Sequence, residues 1–204
     1  MEKFTSVRGA AAPLLIDNIN TDQIAPVQFM RALEPDYETA LFARWRGDPN
    51  APFVLDLPRF RRAPILVTGG NFGCGSAREV AVWALAAHGI RCIVARGFAE
   101  VYRESLLKNG MLPVVLDPAL RADFEARVVA ADGQAPFTVD LAACRIDCPD
   151  GATFAFAMDA GERSALLEGL DDVAMTLRHR SLIDAWERQT ALDQPWLQQV
   201  SSAD

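Results

Sequence analysis

Between Ala63 and Asp117 short apolar runs alternate with helical patterns, and this order constrains the fold more than any other feature of the 204-residue chain. "PILVTG" (Pro64–Gly69) is an apolar run ending in glycine, the pattern of a buried strand. Ala77–Ala87 is apolar almost all round, as a buried helix is, and His88-Gly89 supplies its stop. "IRCIVARGF" (Ile90–Phe98) reads as a second strand. Phe98–Lys108 predicts a helix with Phe98, Val101, Tyr102, Ser105 and Leu106 on one face, ended by Asn109-Gly110. "MLPVVLD" (Met111–Asp117) is the third strand. A β-α-β-α-β order implies parallel strands joined by right-handed crossovers, so the class is α/β.

The flanks carry weaker patterns. An apolar run from Ala10 to Ile16, interrupted by Pro13, reads as the first strand. Residues 31–62 hold Pro35, Pro49, Pro52 and Pro58, which predicts a long, partly ordered excursion. A short amphipathic helix is expected near Leu120–Val129, followed by strands at "PFTVDL", "CRIDC" and "TFAFAM". A last helix around Leu182–Gln189 precedes a tail, about 190–204, that reads as frayed. No repeat divides the chain, and 1–204 is expected to be one domain.

Composition narrows the function. Half the residues are apolar and 23% are charged, as in soluble globular proteins. A net charge of −7 argues against nucleic acid and anionic membrane surfaces, but leaves room for a small anionic substrate at a locally positive site. No segment approaches the roughly 20 apolar residues of a membrane span. The N-terminus is a poor signal peptide. Cys74, Cys92, Cys144 and Cys148 are scattered, which predicts reduced thiols in a cytoplasmic protein.

The chemistry centres on "GGNFGCGSARE" (Gly69–Glu79). Ser76-Ala77-Arg78-Glu79 fits a capping box, with Ser76 as N-cap, so helix-start N–H groups would face whatever fills the loop. Gly73 and Gly75 would allow close approach, and Arg78 supplies a fork suited to a carboxylate or phosphate. An anion site and a tight turn that merely needs its glycines are both consistent with this stretch. A dinucleotide fingerprint lacks its third glycine here, although Arg96 at the end of the next strand leaves an NADP-type site conceivable. There is no G-K-[ST], so a P-loop is excluded. Cys74 at a helix start lacks a nearby base, since His88 falls at the far end of that helix and His179 in a charged stretch. Cys144 and Cys148 have no second pair, and no three cysteines sit together, so no metal or cluster site is expected in this chain.

"DNINTDQIAP" (Asp17–Pro26), the glycine loop and "GFAEVYRESLLKNGMLPV" (Gly97–Val114), in this order and spacing, closely resemble the small subunits of 3-isopropylmalate dehydratase, which correspond to the swivelling domain of aconitase. The likeness extends to "FVLDLPRF" and "GLDDVAMTLRH", so it runs over nearly the whole chain. The resemblance implies a swivelling β/β/α domain and an enzyme that interconverts 2-isopropylmalate and 3-isopropylmalate in leucine biosynthesis. It also implies a large-subunit partner with a [4Fe–4S] cluster, no cofactor bound by this chain, and no activity in this chain alone. By position, Ser76 matches the serine that removes the proton next to a carboxylate, Arg78 the carboxylate-binding arginine, and Asp22 an aspartate that orders the site. Gly75 and Ala77 lie where loop backbone meets substrate. Phe29, Met30 and Arg31 fall in the segment that chooses the substrate side chain.

The chain also departs from that family. Ala77 stands where a second serine is usual and Val80 where a histidine is usual, while Gly97 and Glu100 replace a serine and an aspartate. A lost charged hydrogen bond is worth about 1.5–3 kcal/mol, enough to weaken binding or change substrate choice. Two rivals therefore stand beside the dehydratase reading: a paralogue for another 2-hydroxy diacid, citramalate- or homoaconitate-like, and a non-catalytic anion- or nucleotide-binding module.

Overall fold

The computed structural model describes residues 1–30, 36–48, 51–76 and 78–198. Two compact units are present, Met1–Gly169 and Leu170–Asp204. In the first, the chain runs through β1 (Ser6–Gly9), β2 (Ala11–Leu14), α1 (Thr21–Ile24), α2 (Tyr37–Ala40), β3 (Ile65–Thr68), α3 (Glu79–His88) and β4 (Cys92–Ala95). It continues through α4 (Glu100–Lys108), β5 (Leu112–Val115), α5 (Pro118–Ala131), β6 (Phe137–Asp140), β7 (Arg145–Asp147), β8 (Thr153–Ala155) and α6 (Ala160–Glu168).

The strands form two sheets. β2, β3, β4 and β5 make a parallel sheet in that order, as the alternating pattern predicts. β1, β6, β7 and β8 make an antiparallel sheet. β3 and β4 are buried on both faces, which is why they read as unbroken apolar runs. Leu66 and Ile93 point to a core shared with Ala81, Val82, Leu85, Tyr102 and Leu106. Their neighbours Ile65, Val67, Cys92 and Val94 point to a second core with Phe124, Val128, Val139, Ile146 and Phe154. The parallel sheet is thus the middle layer between helices and the antiparallel sheet, the β/β/α arrangement. Pro13 and Pro113 sit in β2 and β5, the two outer strands, where a missing N–H breaks no ladder.

Several boundaries differ from expectation, each for a physical reason. α4 starts at Glu100 rather than Phe98, because Phe98 bridges to Phe72 and the Ala99 amide donates to the Phe72 carbonyl at 3.0 Å. Val101 is 60% exposed and so leaves the predicted face, whereas Tyr102 and Leu106 are fully buried. α5 is longer than Leu120–Val129 because Asp117 caps the Ala119 amide at 2.8 Å and Pro118 suits the first turn. β1 is absent from the sequence reading, since its alternate residues are only half-buried. The proline-punctuated excursion is better organised than expected within its described residues. Phe42, Trp45 and Phe53 pack together, and Arg46 donates to Asp56 at 2.7 Å and to the carbonyl of Glu38.

His88 closes α3 and is buried, with neither ring nitrogen hydrogen-bonded. Burial, followed by the positive charge of Arg46, holds its pKa below the ordinary imidazole value; Glu38 and Asp56 oppose this and Arg62 adds to it. The unfolded chain therefore takes up a proton as pH falls past about 6.5, while the folded chain resists it. Stability present above that pH is lost below it. Urea midpoints measured from pH 7.5 down to 5.5 should fall, and His88→Gln should flatten that part of the profile.

The second unit holds α7 (Asp172–Leu177), α8 (Arg180–Asp193) and a 3₁₀ turn, Pro195–Gln198. α8 is longer at both ends than the predicted Leu182–Gln189, and the turn continues helical structure into the stretch read as tail. Neither helix buries a residue, and Trp186 and Leu192 are exposed.

Candidate active site

Two loops meet at the carboxyl end of the parallel sheet, the place where open α/β sheets bind ligands. The stretch after β2, residues 15–22, lies along the glycine loop after β3. Gly69 donates to the Ile16 carbonyl at 3.2 Å, Asn18 to Gly70 at 2.8 Å, Gly73 to Ile19 at 2.8 Å and Thr21 to Cys74 at 3.1 Å. Side chains lock the same seam. Asp17 accepts from the Gly70 amide at 2.6 Å, and Asn71 donates to Asn18 at 2.9 Å. Asn18 and Asn71 both have left-handed backbones, φ 59° and 54°, which asparagine tolerates better than most residues.

The seam corrects the reading of Ser76 as a helix cap. α3 begins at Glu79, with extended Arg78 in the cap position and no side-chain cap bond. An N-cap carbonyl turns into its helix, but the Ser76 carbonyl instead accepts a 2.7 Å bond from the Thr21 hydroxyl. A tertiary bond across 55 positions overrides the local S-x-x-E pattern. The capping box forms on α1 instead, where the Asn20 side chain accepts from the Gln23 amide at 2.9 Å and Gln23 accepts from Asn20 at 2.8 Å. Ser76 is left exposed at the tip of the loop.

The glycines also take different roles from those expected. A Cβ on Gly73 would lie 1.9 Å from the Tyr102 ring, and φ there is 77°. Its bareness admits Tyr102 from below rather than a ligand from above. Gly75, at φ 88°, would meet only Asn20 at 3.7 Å.

Of the residues singled out by sequence, Asp22, Gly75, Ser76 and Arg78 come together, while Arg31 and Ala77 lie outside the described residues. Arg78 pairs with Asp22 at 2.7 Å and donates weakly to the Thr21 hydroxyl at 3.4 Å; its Nε is buried without a partner. Arg78 therefore keeps donors that Asp22 and Thr21 do not use, two positions from exposed Ser76. Thr21 escaped the sequence reading. It is 1% exposed, and only its place on the seam, not its residue type, marks it.

The other candidates are occupied. Arg96 is bound by both oxygens of Glu125, at 2.8 and 2.7 Å, which raises its pKa further, and it lies 3.9 Å from Asp17. Its guanidinium is turned to Glu125 rather than left open at the strand end. Cys74 donates to the Asn18 carbonyl. Burial pushes the Cys148 thiol up to about 11, away from thiolate character. Among the described residues, no group of three His, Cys, Asp or Glu side chains is placed to hold a metal ion. None of the described helices is long and apolar enough to cross a membrane.

Fold and site together define a domain of the aconitase swivel class, and residues 1–119 match the aconitase C-terminal domain family. Residues 172–200 match the C-terminal domain of 3-isopropylmalate dehydratase small subunits. The small subunit of that enzyme from Azorhizobium caulinodans is 43% identical over 97% of this chain and 100% of its own length. The one from Dinoroseobacter shibae is 44% identical over 97% and 100%. The chain belongs to the 3-isopropylmalate dehydratase small-subunit family. Its fold is shared with the crystal structure of 3-isopropylmalate dehydratase from Methanocaldococcus jannaschii, with a TM-score of 0.61 over 89% of this chain and 99% of that one at 24% identity.

Proposed function

We propose that this chain is the small subunit of an enzyme that interconverts 2-isopropylmalate and 3-isopropylmalate by dehydration and rehydration, in cytoplasmic leucine biosynthesis. The observation that carries the reading is the convergence of Ser76, Arg78 and Asp22 where the two loops are sewn together. Arg78 takes one substrate carboxylate through the face of its guanidinium that Asp22 leaves open. Ser76 removes the proton next to a carboxylate and returns it on rehydration. Serine is a very weak acid, so its anion needs help, and the positive charge of Arg78, two positions on, is the source we assign. Asp22 holds Arg78 in place between turnovers. By the resemblance, Gly75 and Ala77 contribute backbone to substrate binding, and Arg31 belongs to the segment that meets the substrate side chain. A [4Fe–4S] cluster held by a large subunit supplies Lewis-acid polarisation of the leaving hydroxyl.

Another 2-hydroxy diacid as substrate is favoured by one observation, the replacement of a serine and a histidine of the family pattern by Ala77 and Val80. Anaerobic affinity purification of this chain from its host tests both readings. A brown complex that turns over 2-isopropylmalate is expected, with citramalate and homoaconitate assayed beside it. Faster turnover of either relative moves the substrate assignment. A chain that repeatedly arrives alone and colourless overturns the subunit reading in favour of a binding module.

A further inference from the structure

We infer that Thr21 is a positioning residue that sets Ser76 and Arg78 relative to one another through its hydroxyl. The inference rests on the function proposed above. Thr21 is 1% exposed, and buried hydroxyls are retained where their hydrogen bonds are made. This one is used in both directions. It donates to the Ser76 carbonyl at 2.7 Å and accepts from Arg78 at 3.4 Å, which matches the one donor and two lone pairs of a hydroxyl. Its backbone is held independently, since its amide donates to the Cys74 carbonyl and its carbonyl accepts from Ala25 at 2.9 Å. The oxygen is therefore a fixed point to which the proton acceptor and the carboxylate receptor are both referred. Arg78 and Ser76 lie two positions apart in sequence, and both bond to the one Thr21 oxygen. Small errors in such geometry are costly, because reacting groups must lie within a few tenths of an ångström of alignment. Asp22 fixes the charge of Arg78, and Thr21 fixes its register against Ser76.

Thr21→Val keeps the shape and removes the hydroxyl, whereas Thr21→Ser keeps the hydroxyl. Both are compared with the native chain in the assembled complex, by kcat and KM on 2-isopropylmalate, and in the isolated chain, by hydrogen exchange of amides 73–79. Thr21→Val should lower kcat/KM by about 10- to 100-fold, with kcat falling and KM rising together, and should speed exchange across the loop. Thr21→Ser should stay within about threefold of native, which a packing role alone would not produce. Native kinetics and exchange in Thr21→Val overturn the inference. Thr21→Ser impaired in turnover overturns it as well, whether or not Thr21→Val folds. If the native complex turns over none of the acids while Thr21→Val still loosens the loop, the functional reading fails and the positioning stands.

Discussion

Ser76→Ala should leave the chain folded and able to assemble, yet lower turnover of the complex by about 10²- to 10⁴-fold, the usual contribution of a positioned base. The structural cost is small because the bond that holds this residue uses its backbone carbonyl, which alanine keeps. No cap bond is at stake, since α3 starts three residues later without one. An exposed serine also leaves no cavity when truncated. Loss of kcat with unchanged unfolding and unchanged co-purification is therefore the expected outcome. A fully active variant would place the proton acceptor elsewhere, with the partner subunit the first place to search.

The second large effect is on stability. Gly73→Ala should destabilise the chain by about 3 kcal/mol or more, combining overpacking against the Tyr102 ring with a left-handed backbone that disfavours a side chain. Gly75→Ala shares the backbone strain but meets nothing nearer than 3.7 Å, so about 1 kcal/mol is expected. Tyr102→Phe should not rescue Gly73→Ala, because the clash is with ring carbons. Alone, Tyr102→Phe should be neutral or mildly stabilising, since the Tyr102 hydroxyl is fully buried without a hydrogen-bond partner. Urea denaturation of the four variants ranks them. Equal losses at the two glycines would mean that Tyr102 yields, and that the loop is not braced from below.

The parallel core was legible because each of its strands and helices announces itself within ten residues. Strand β4 is apolar throughout and β3 up to its last residue, Thr68, and α3 ends on the expected glycine. What escaped depends on contacts between distant segments. The Ser76–Glu79 cap pattern was locally sound and lost to a hydrogen bond from Thr21. Gly73 looked like room for a ligand because nothing in its neighbourhood foretells that Tyr102 rises beneath it. Arg96 stood at a suitable strand end, but its partner Glu125 comes from a helix 29 residues on. Ser76 and Arg78 stood out in the glycine loop itself, their proposed roles and Asp22 came by resemblance to a family, and the buried bonds of Thr21 emerge only from the fold.

The prolines at the two borders of the parallel sheet have a consequence for how the molecule meets others. Residues that face outward from a border strand would normally offer N–H and C=O groups to a visiting chain. Pro13 and Pro113 each delete one such donor from a strand of only four residues. Lateral growth by strand addition is thereby discouraged at both borders. Recognition of this domain is then left to its side chains and loop tips, the Ser76 loop among them.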